Sequence, residues 1–230
     1  MSEPLLVVRG VSKTFAADGP APVHAVRDVS LALAAGEVLV VQGPSGAGKT
    51  TLLAMLGGLL RPDRGEIRLA GVDVATADEA ARRRLRAERI GFVFQRGVLL
   101  DYLTVLENVA VVPRALGRPA GDALRAATGL LAAVGLADRA DALPAALSAG
   151  EAQRVAVARA LVMQPVLVLA DEPTAHLDGP TGAAVVRLLR DRTRASSAAL
   201  VVVTHDPRLV SPADRVLGLE DGSIRDAMGG

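Results

Sequence analysis

Gly43-Pro-Ser-Gly-Ala-Gly-Lys-Thr50 decides how this chain is read. It fits the spacing G-x-x-x-x-G-K-[S/T], in which glycines let the backbone approach a phosphate, the lysine reaches the terminal phosphates, and the hydroxyl can ligate Mg²⁺. Of the 26 basic residues only Lys13 and Lys49 are lysines, and one of them stands at the required place. Val38-Leu-Val-Val41 before the loop reads as a buried strand, and Thr50 to Leu60 after it as a helix. The loop therefore lies at a helix N-terminus, where backbone N–H groups and the helix dipole favour a phosphate. Gly43, Pro44, Ser45, Gly46, Ala47, Gly48, Lys49, Thr50 and Thr51 are the expected nucleotide-binding residues. The competing reading is a glycine-rich turn without a ligand.

At 230 residues the chain suits one large α/β domain, spanning 1–230, with an inserted subdomain. Half of it is apolar, yet Phe15, Phe92, Phe94 and Tyr102 are its only aromatics, so Leu, Val and Ala must fill the core and base stacking is scarce. A formal charge of +1 argues against non-specific nucleic-acid binding, which grows with the number of phosphates neutralised. Cysteine is absent, which excludes disulfides and thiolate ligands and suits a reducing cytoplasm. The most apolar stretch, Val155 to Ala170, is broken by Arg159, Gln164 and Pro165, so no membrane span is expected; Met1-Ser-Glu-Pro lacks the pattern of a secretory signal.

Leu5–Arg9, Val23–Leu33 and Val38–Val41 read as strands, with a turn over Ala16–Pro22, giving an antiparallel opening. Val166–Ala170 and Leu200–Thr204 are continuous apolar runs, as in strands of a parallel sheet buried on both faces and flanked by helices. From about residue 96 to 165 helical periodicity replaces the strand signal, in Val105–Leu116, Gly121–Val134 and Ser148–Met163, with Pro113, Pro119 and Pro144 as punctuation. This is the expected inserted helical subdomain. Arg82, Arg83, Arg84, Arg86 and Arg89 form a basic run on a helix, read as a solvated face with an anionic lipid or acidic partner as the alternative. The tail Ala227–Gly230 is expected to fray.

Val166-Leu-Val-Leu-Ala-Asp171-Glu172 is an apolar strand ending in two carboxylates. Asp171 at the strand end can hold Mg²⁺, and Glu172 is the candidate base for an attacking water. Ser148-x-x-Glu151 is a capping box, and a capped helix N-terminus aimed at a phosphate is an anion site.

Leu147-Ser-Ala-Gly-Glu151, followed by Gln153-Arg-Val-Ala-Val-Ala-Arg-Ala-Leu161, resembles the signature of the ATP-binding-cassette family, usually Leu-Ser-Gly-Gly-Gln or -Glu, and the remaining elements follow in the family's order along nearly the whole chain. The resemblance implies a Mg²⁺-dependent ATPase whose two copies, or two paired cassettes, sandwich ATP, with Ser148, Ala149, Gly150 and Glu151 meeting the γ-phosphate held by the other subunit. Gln95 resembles the Q-loop glutamine that reaches Mg²⁺ and the attacking water, and His205 the histidine that contacts the γ-phosphate. Thr174-Ala-His176-Leu-Asp178 resembles the loop that crosses the dimer interface, and Phe15 matches the aromatic that stacks on adenine, with a core phenylalanine as the rival reading. Three positions depart from the pattern: Ala149 for a glycine, whose narrower backbone choices predict weaker closure, Ala152 for a common glutamine, and His176 for a small or amide residue. His24 has no evident partner.

Arg89-Ile-Gly-Phe-Val-Phe-Gln95, Leu103-Thr-Val-Leu-Glu-Asn-Val109, Ala146–Glu151 and Thr204-His-Asp-Pro207 resemble the ATPases that serve lipoprotein-release, macrolide-export and cell-division permeases. That implies an integral-membrane permease on a separate chain, gripped around Gln95 to Glu107, no nucleic-acid partner, and a cytoplasmic location peripheral to the inner face of the cell membrane. The rivals are a soluble cassette acting on ribosomes or nucleic acid, an ATPase that signals mechanically without cargo, and an ATP sensor without turnover.

Overall fold

The computed structural model describes residues 3–16, 22–206 and 209–225. Most of the expected Ala16–Pro22 turn, the start of the Met1–Pro4 segment, Pro207 and the Ala227–Gly230 tail lie outside the described residues.

Two sheets form the body. The first contains β1 (Leu6–Phe15), β2 (Val23–Leu33), β4 (Arg64–Leu69) and β5 (Val72–Asp73), in the antiparallel order β2-β1-β4-β5. The second contains β3 (Val38–Gln42), β6 (Ile90–Val93), β7 (Leu167–Asp171), β8 (Ala199–Val203), β9 (Arg215–Glu220) and β10 (Ser223–Arg225), in the order β10-β9-β3-β8-β7-β6. All its neighbours run parallel except the β9/β10 hairpin. Every residue of β7 and β8 is buried, as their unbroken apolar runs require between two covered faces.

β1 continues to Phe15 rather than ending at Arg9. Gly10, at φ 57°, sits at the register shift between Val8 and Val11, so the glycine bends the strand instead of ending it. β4, β5, β9 and β10 have no counterpart in the expected elements; they are short, charged and set off by glycines, with little apolar pattern to read.

Helix α1 (Lys49–Leu56) follows the glycine loop, α2 (Glu79–Arg89) carries the arginine run, and α6 (Gly179–Ala195) precedes β8. The run is not a fully solvated face. Arg82 is buried and pairs with Glu79, Arg86 pairs with Glu79 at 2.9 Å and donates to the Gly58 carbonyl at 2.8 Å, and Arg84 pairs with Glu88 at 2.9 Å. Arg83 and Arg89 alone among these arginines remain exposed without an ion pair among the described residues.

The remaining helices are α3 (Val105–Ala115), α4 (Ala120–Ala133) and α5 (Ala149–Leu161). They share an apolar core of their own, including Val105, Val109, Leu131, Val155 and Ala158. Pro113 lies inside α3 rather than at its end: it is buried in the last turn, and the helix stops two residues later. Among the described residues no helix is long and apolar enough to cross a membrane.

Candidate active site

The parallel sheet sets the site. Neighbouring strands β3, β8, β7 and β6 end at one edge, and each hands over to a segment picked out in the sequence: the glycine loop after β3, Thr204-His205 after β8, Asp171-Glu172 at the end of β7, and Phe94-Gln95 after β6. Ligand sites of α/β sheets form at this carboxyl edge.

Gly48 is the N-cap of α1, with φ 95° and no side-chain cap, so the first-turn N–H groups have no side-chain acceptor. A side chain at Gly48 is excluded twice, by the left-handed backbone and because a Cβ would stand 1.9 Å from the Ala25 carbonyl. The loop is braced by Gly222, which donates to the Ala47 carbonyl at 3.1 Å. Lys49 folds back over it, Nζ donating to the Gly43 and Pro44 carbonyls at 2.8 Å each. The Lys49 ammonium thus rests on two carbonyl oxygens of the loop, beside a helix N-terminus whose N–H groups have no side-chain cap.

Asp171 is 9% exposed, and its Oδ1 is buried with no hydrogen-bond partner. Burial pushes its carboxyl above the ordinary range, a Thr50 hydrogen bond opposes this, the Glu172 charge adds to it and Lys49 again opposes. A buried carboxylate oxygen left unpaired beside a threonine hydroxyl is costly alone and fits a hard divalent cation. Among the described residues no group of three or more His, Asp or Glu could form an all-protein metal cage. Mg²⁺, which takes few protein ligands and completes its shell with phosphate and water, matches such a sparse donor set.

Glu172 has φ 43°, a left-handed conformation strained for a residue with a Cβ, and its N–H donates to the Val203 carbonyl at 2.8 Å. Its Oε1 lies 2.7 Å from His205 Nδ1. An ionised carboxylate only accepts, so Nδ1 donates in this contact, and Nε2 can donate to a phosphate when the ring is the doubly protonated imidazolium. Thr204 places the histidine through its N–H to the Val41 carbonyl, 3.1 Å, tying β8 to β3.

Ser148 caps α5 in a full capping box: Glu151 N–H donates to the serine hydroxyl at 3.2 Å, and the serine N–H and hydroxyl donate to Glu151 Oε2 at 2.9 and 2.8 Å. These bonds, with Arg139 beside them, hold the Glu151 carboxyl below its ordinary range. Ala149 is the first residue of the regular helix and is not in the left-handed region, so alanine there imposes no backbone strain. Gly150 packs against Thr181, the residue whose N–H donates to Asp178 at 2.9 Å. Asp178 is the N-cap of α6, and that bond holds its carboxyl low.

Gln95 is exposed and lines a cavity of about 290 Å³ with Ala149, Ala152, Gln153, Pro173 and His176. It faces the start of α5 and the Thr174–Asp178 loop rather than making a hydrogen bond among the described residues. Phe15, at the end of β1, is 40% exposed, which removes the core reading, and Lys13 Nζ stands 5.7 Å from its ring centroid. His24 does have a partner, with Nδ1 2.9 Å from the Thr14 hydroxyl. The sequence reading missed Gln153, which is buried and donates to the Phe94 carbonyl at 3.0 Å. Its signal was a lone amide on a face otherwise made of Ala156, Val157 and Ala160.

A phosphate-cradling loop, an unpaired buried carboxylate beside it and a glutamate–histidine pair on the next strands define a nucleotide-hydrolysing enzyme of the phosphate-loop class. A family profile described as ABC transporter matches residues 26–175. The chain is 43% identical to the lipoprotein-releasing system ATP-binding protein LolD of Shewanella oneidensis, over 98% of this chain and 97% of that one. It is 44% identical to the protein of that name from Anaeromyxobacter dehalogenans, over 97% and 94%. The fold aligns at a TM-score of 0.88 and 34% identity with a dimeric ATP-binding cassette solved in a post-hydrolysis state with ADP and Pi, covering 95% of this chain and 96% of that one. It aligns at 0.85 and 26% identity with CbiO1 of Clostridium perfringens, described as part of the ABC transporter complex CbiONQ, over 97% and 88%. This chain belongs to the ABC transporter family, as one of its ATP-hydrolysing cassettes.

Proposed function

We propose that two cassettes close around ATP and that its hydrolysis drives a membrane permease carried on a separate chain. The observation that carries this reading is the row of strand ends, which sets Lys49 and Thr50, His205, Asp171 and Glu172, and Gln95 along one edge of the sheet. Residues Gly43 to Thr51 bind the phosphates through backbone N–H groups and Lys49. Thr50 and Asp171, with Gln95, hold Mg²⁺, which when bound neutralises charge on the β- and γ-phosphates. Glu172 takes the proton of the attacking water as its oxygen bonds to the γ-phosphorus and the bond to the β-bridging oxygen breaks, giving ADP and phosphate. In the imidazolium form His205 donates through Nδ1 to Glu172 and through Nε2 to the γ-phosphate oxygens, and the Glu172 carboxylate orients the ring and favours that charged form. Phe15 offers a ring face to adenine. Ser148 to Glu151 and Asp178 belong to the face that meets the other cassette, where the N-terminus of α5 favours the second γ-phosphate.

The helical body of about residues 96–165 is the part that passes closure to the permease. Between α2, β6 and α3 lies a groove of about 460 Å³, lined by Leu59, Phe92, Phe94, Leu100 and Val112 together with Arg83, Arg86 and Arg159, a seat for a permease's cytoplasmic helix. The likeness to LolD proteins supports a lipoprotein-release or related permease as partner and a position on the inner face of the membrane. Affinity purification of the tagged chain from detergent-solubilised membranes tests this. A multi-span membrane protein should co-elute; ribosomal proteins or nucleic acid in its place contradict the permease reading and leave the ATPase assignment standing.

A further inference from the structure

After β6 the chain does not swing free; the segment from Phe94 to Val98 is fastened to the side of α5. Gln153, 3% exposed, donates its Nε2 to the Phe94 carbonyl at 3.0 Å. Gly97 lies so close to the same turn that a Cβ there would stand 2.8 Å from the Ala152 carbonyl oxygen and 3.1 Å from the Gln153 nitrogen. Farther along, the Arg159 guanidinium donates to the Val98 carbonyl. The attachments thus bracket Gln95, which sits between Phe94 and Gly97 and opens into the cavity shared with Ala149 and Gln153.

We propose that Gln153 is a positioning residue for ATP hydrolysis: its amide ties the Gln95 segment to α5, so that Gln95 and the helix end at Ser148 move as one body. The inference rests on the roles given above to Gln95 and Ser148. One cassette then presents Gln95 to its own nucleotide and Ser148 to its partner's, and the Gln153 bond keeps the two in step during closure. Gly97 makes the close approach possible, since any side chain there drives backbone against backbone. A buried amide that merely filled space would leave turnover untouched when exchanged for an apolar side chain of equal length. An amide that places a reacting group changes the rate of chemistry while leaving nucleotide binding alone.

The test is steady-state ATPase of the purified full chain carrying Gln153→Met, which keeps length and burial but removes the donor. The expected result is a kcat lower by about tenfold, with KM for ATP and the dissociation constant of a fluorescent ATP analogue changed by less than about twofold. Gly97→Ala, which pushes from the loop side, should give the same split and stands in if Gln153→Met does not fold. An unchanged kcat in the folded variant overturns the proposal. So does a kcat that falls only in proportion to lost nucleotide affinity or lost thermal stability. Glu172→Gln assayed alongside separates the two levels. Turnover lost with Glu172→Gln but intact with Gln153→Met defeats this inference alone, whereas turnover indifferent to Glu172→Gln defeats the site reading beneath it.

Discussion

Glu172 shows how a single residue is set for chemistry at a local cost. Its left-handed backbone, φ 43°, costs on the order of 1 kcal/mol or more, and the bond from its N–H to Val203 holds it there. Replacing it with glutamine keeps shape but removes the base. Glu172→Gln should leave ATP binding intact and lower hydrolysis at least about tenfold, read by single-turnover assay beside an equilibrium binding measurement; unchanged turnover takes Glu172 out of that role. Asp171 carries the opposite trade. Burial raises its pKa above the ordinary 3.8, so the folded state binds the proton more tightly than the unfolded chain. Stability from this group therefore falls as pH climbs from about the ordinary value through the raised one, and is flat above it. Asp171→Asn should melt higher than the parent at pH 7 without nucleotide, on the order of a few degrees, with the gap closing toward acid, and should lose Mg²⁺-dependent turnover. A variant that melts lower at pH 7 contradicts the burial argument. Lys49, Asp171 and Glu172 were legible in the sequence because the first has the spacing a phosphate loop demands and the other two close an apolar strand, whereas His205 was legible through the family's order of elements. Gln153 was not: one amide in a helix has no spacing to betray it, and only the fold brings Phe94 within its reach.

At the scale of elements, legibility tracked burial. β3, β7 and β8 are apolar up to the terminal Gln42 of β3 and Asp171 of β7 because both faces of the sheet are covered, and their bounds were read to within a residue or so. β4 and β9 carry exposed charges, β5 and β10 are two and three residues long, and tertiary pairing rather than local pattern makes them strands. α5 was legible twice, as a capped helix and as a signature, and the structure shows the cap at Ser148. Removing the cap by Ser148→Ala should cost about 1 kcal/mol, or roughly 2–4 °C in melting temperature for a domain of this size. Ser148→Asn restores a good cap without the hydroxyl, so stability should return while ATP turnover stays low. Recovery of both together makes Ser148 a cap and nothing more.

For the whole molecule, the sequence conveyed an α/β core with an antiparallel opening and a helical stretch, and the structure adds how they meet. The loop after β3 is braced at once by the antiparallel sheet, through Ala25 against Gly48, and by the β9–β10 turn, through Gly222 and Ala47. Those contacts join residues far apart in sequence, which is why no local pattern announced them. The helical body has its own core yet reaches the parallel sheet along α5, so a pull at the N-terminus of α5 is felt at Gln95 and in the groove beside it. One cassette holds the phosphate loop at one edge and Ser148 at the start of another element, and the account requires a second cassette to complete each ATP site. The most direct test is light scattering coupled to size-exclusion chromatography of Glu172→Gln with Mg²⁺-ATP, with nucleotide quantified in the peak. The account predicts twice the monomer mass with two ATP per dimer, returning to monomer when ATP is withheld; a species of monomer mass carrying its own ATP at saturating nucleotide contradicts it.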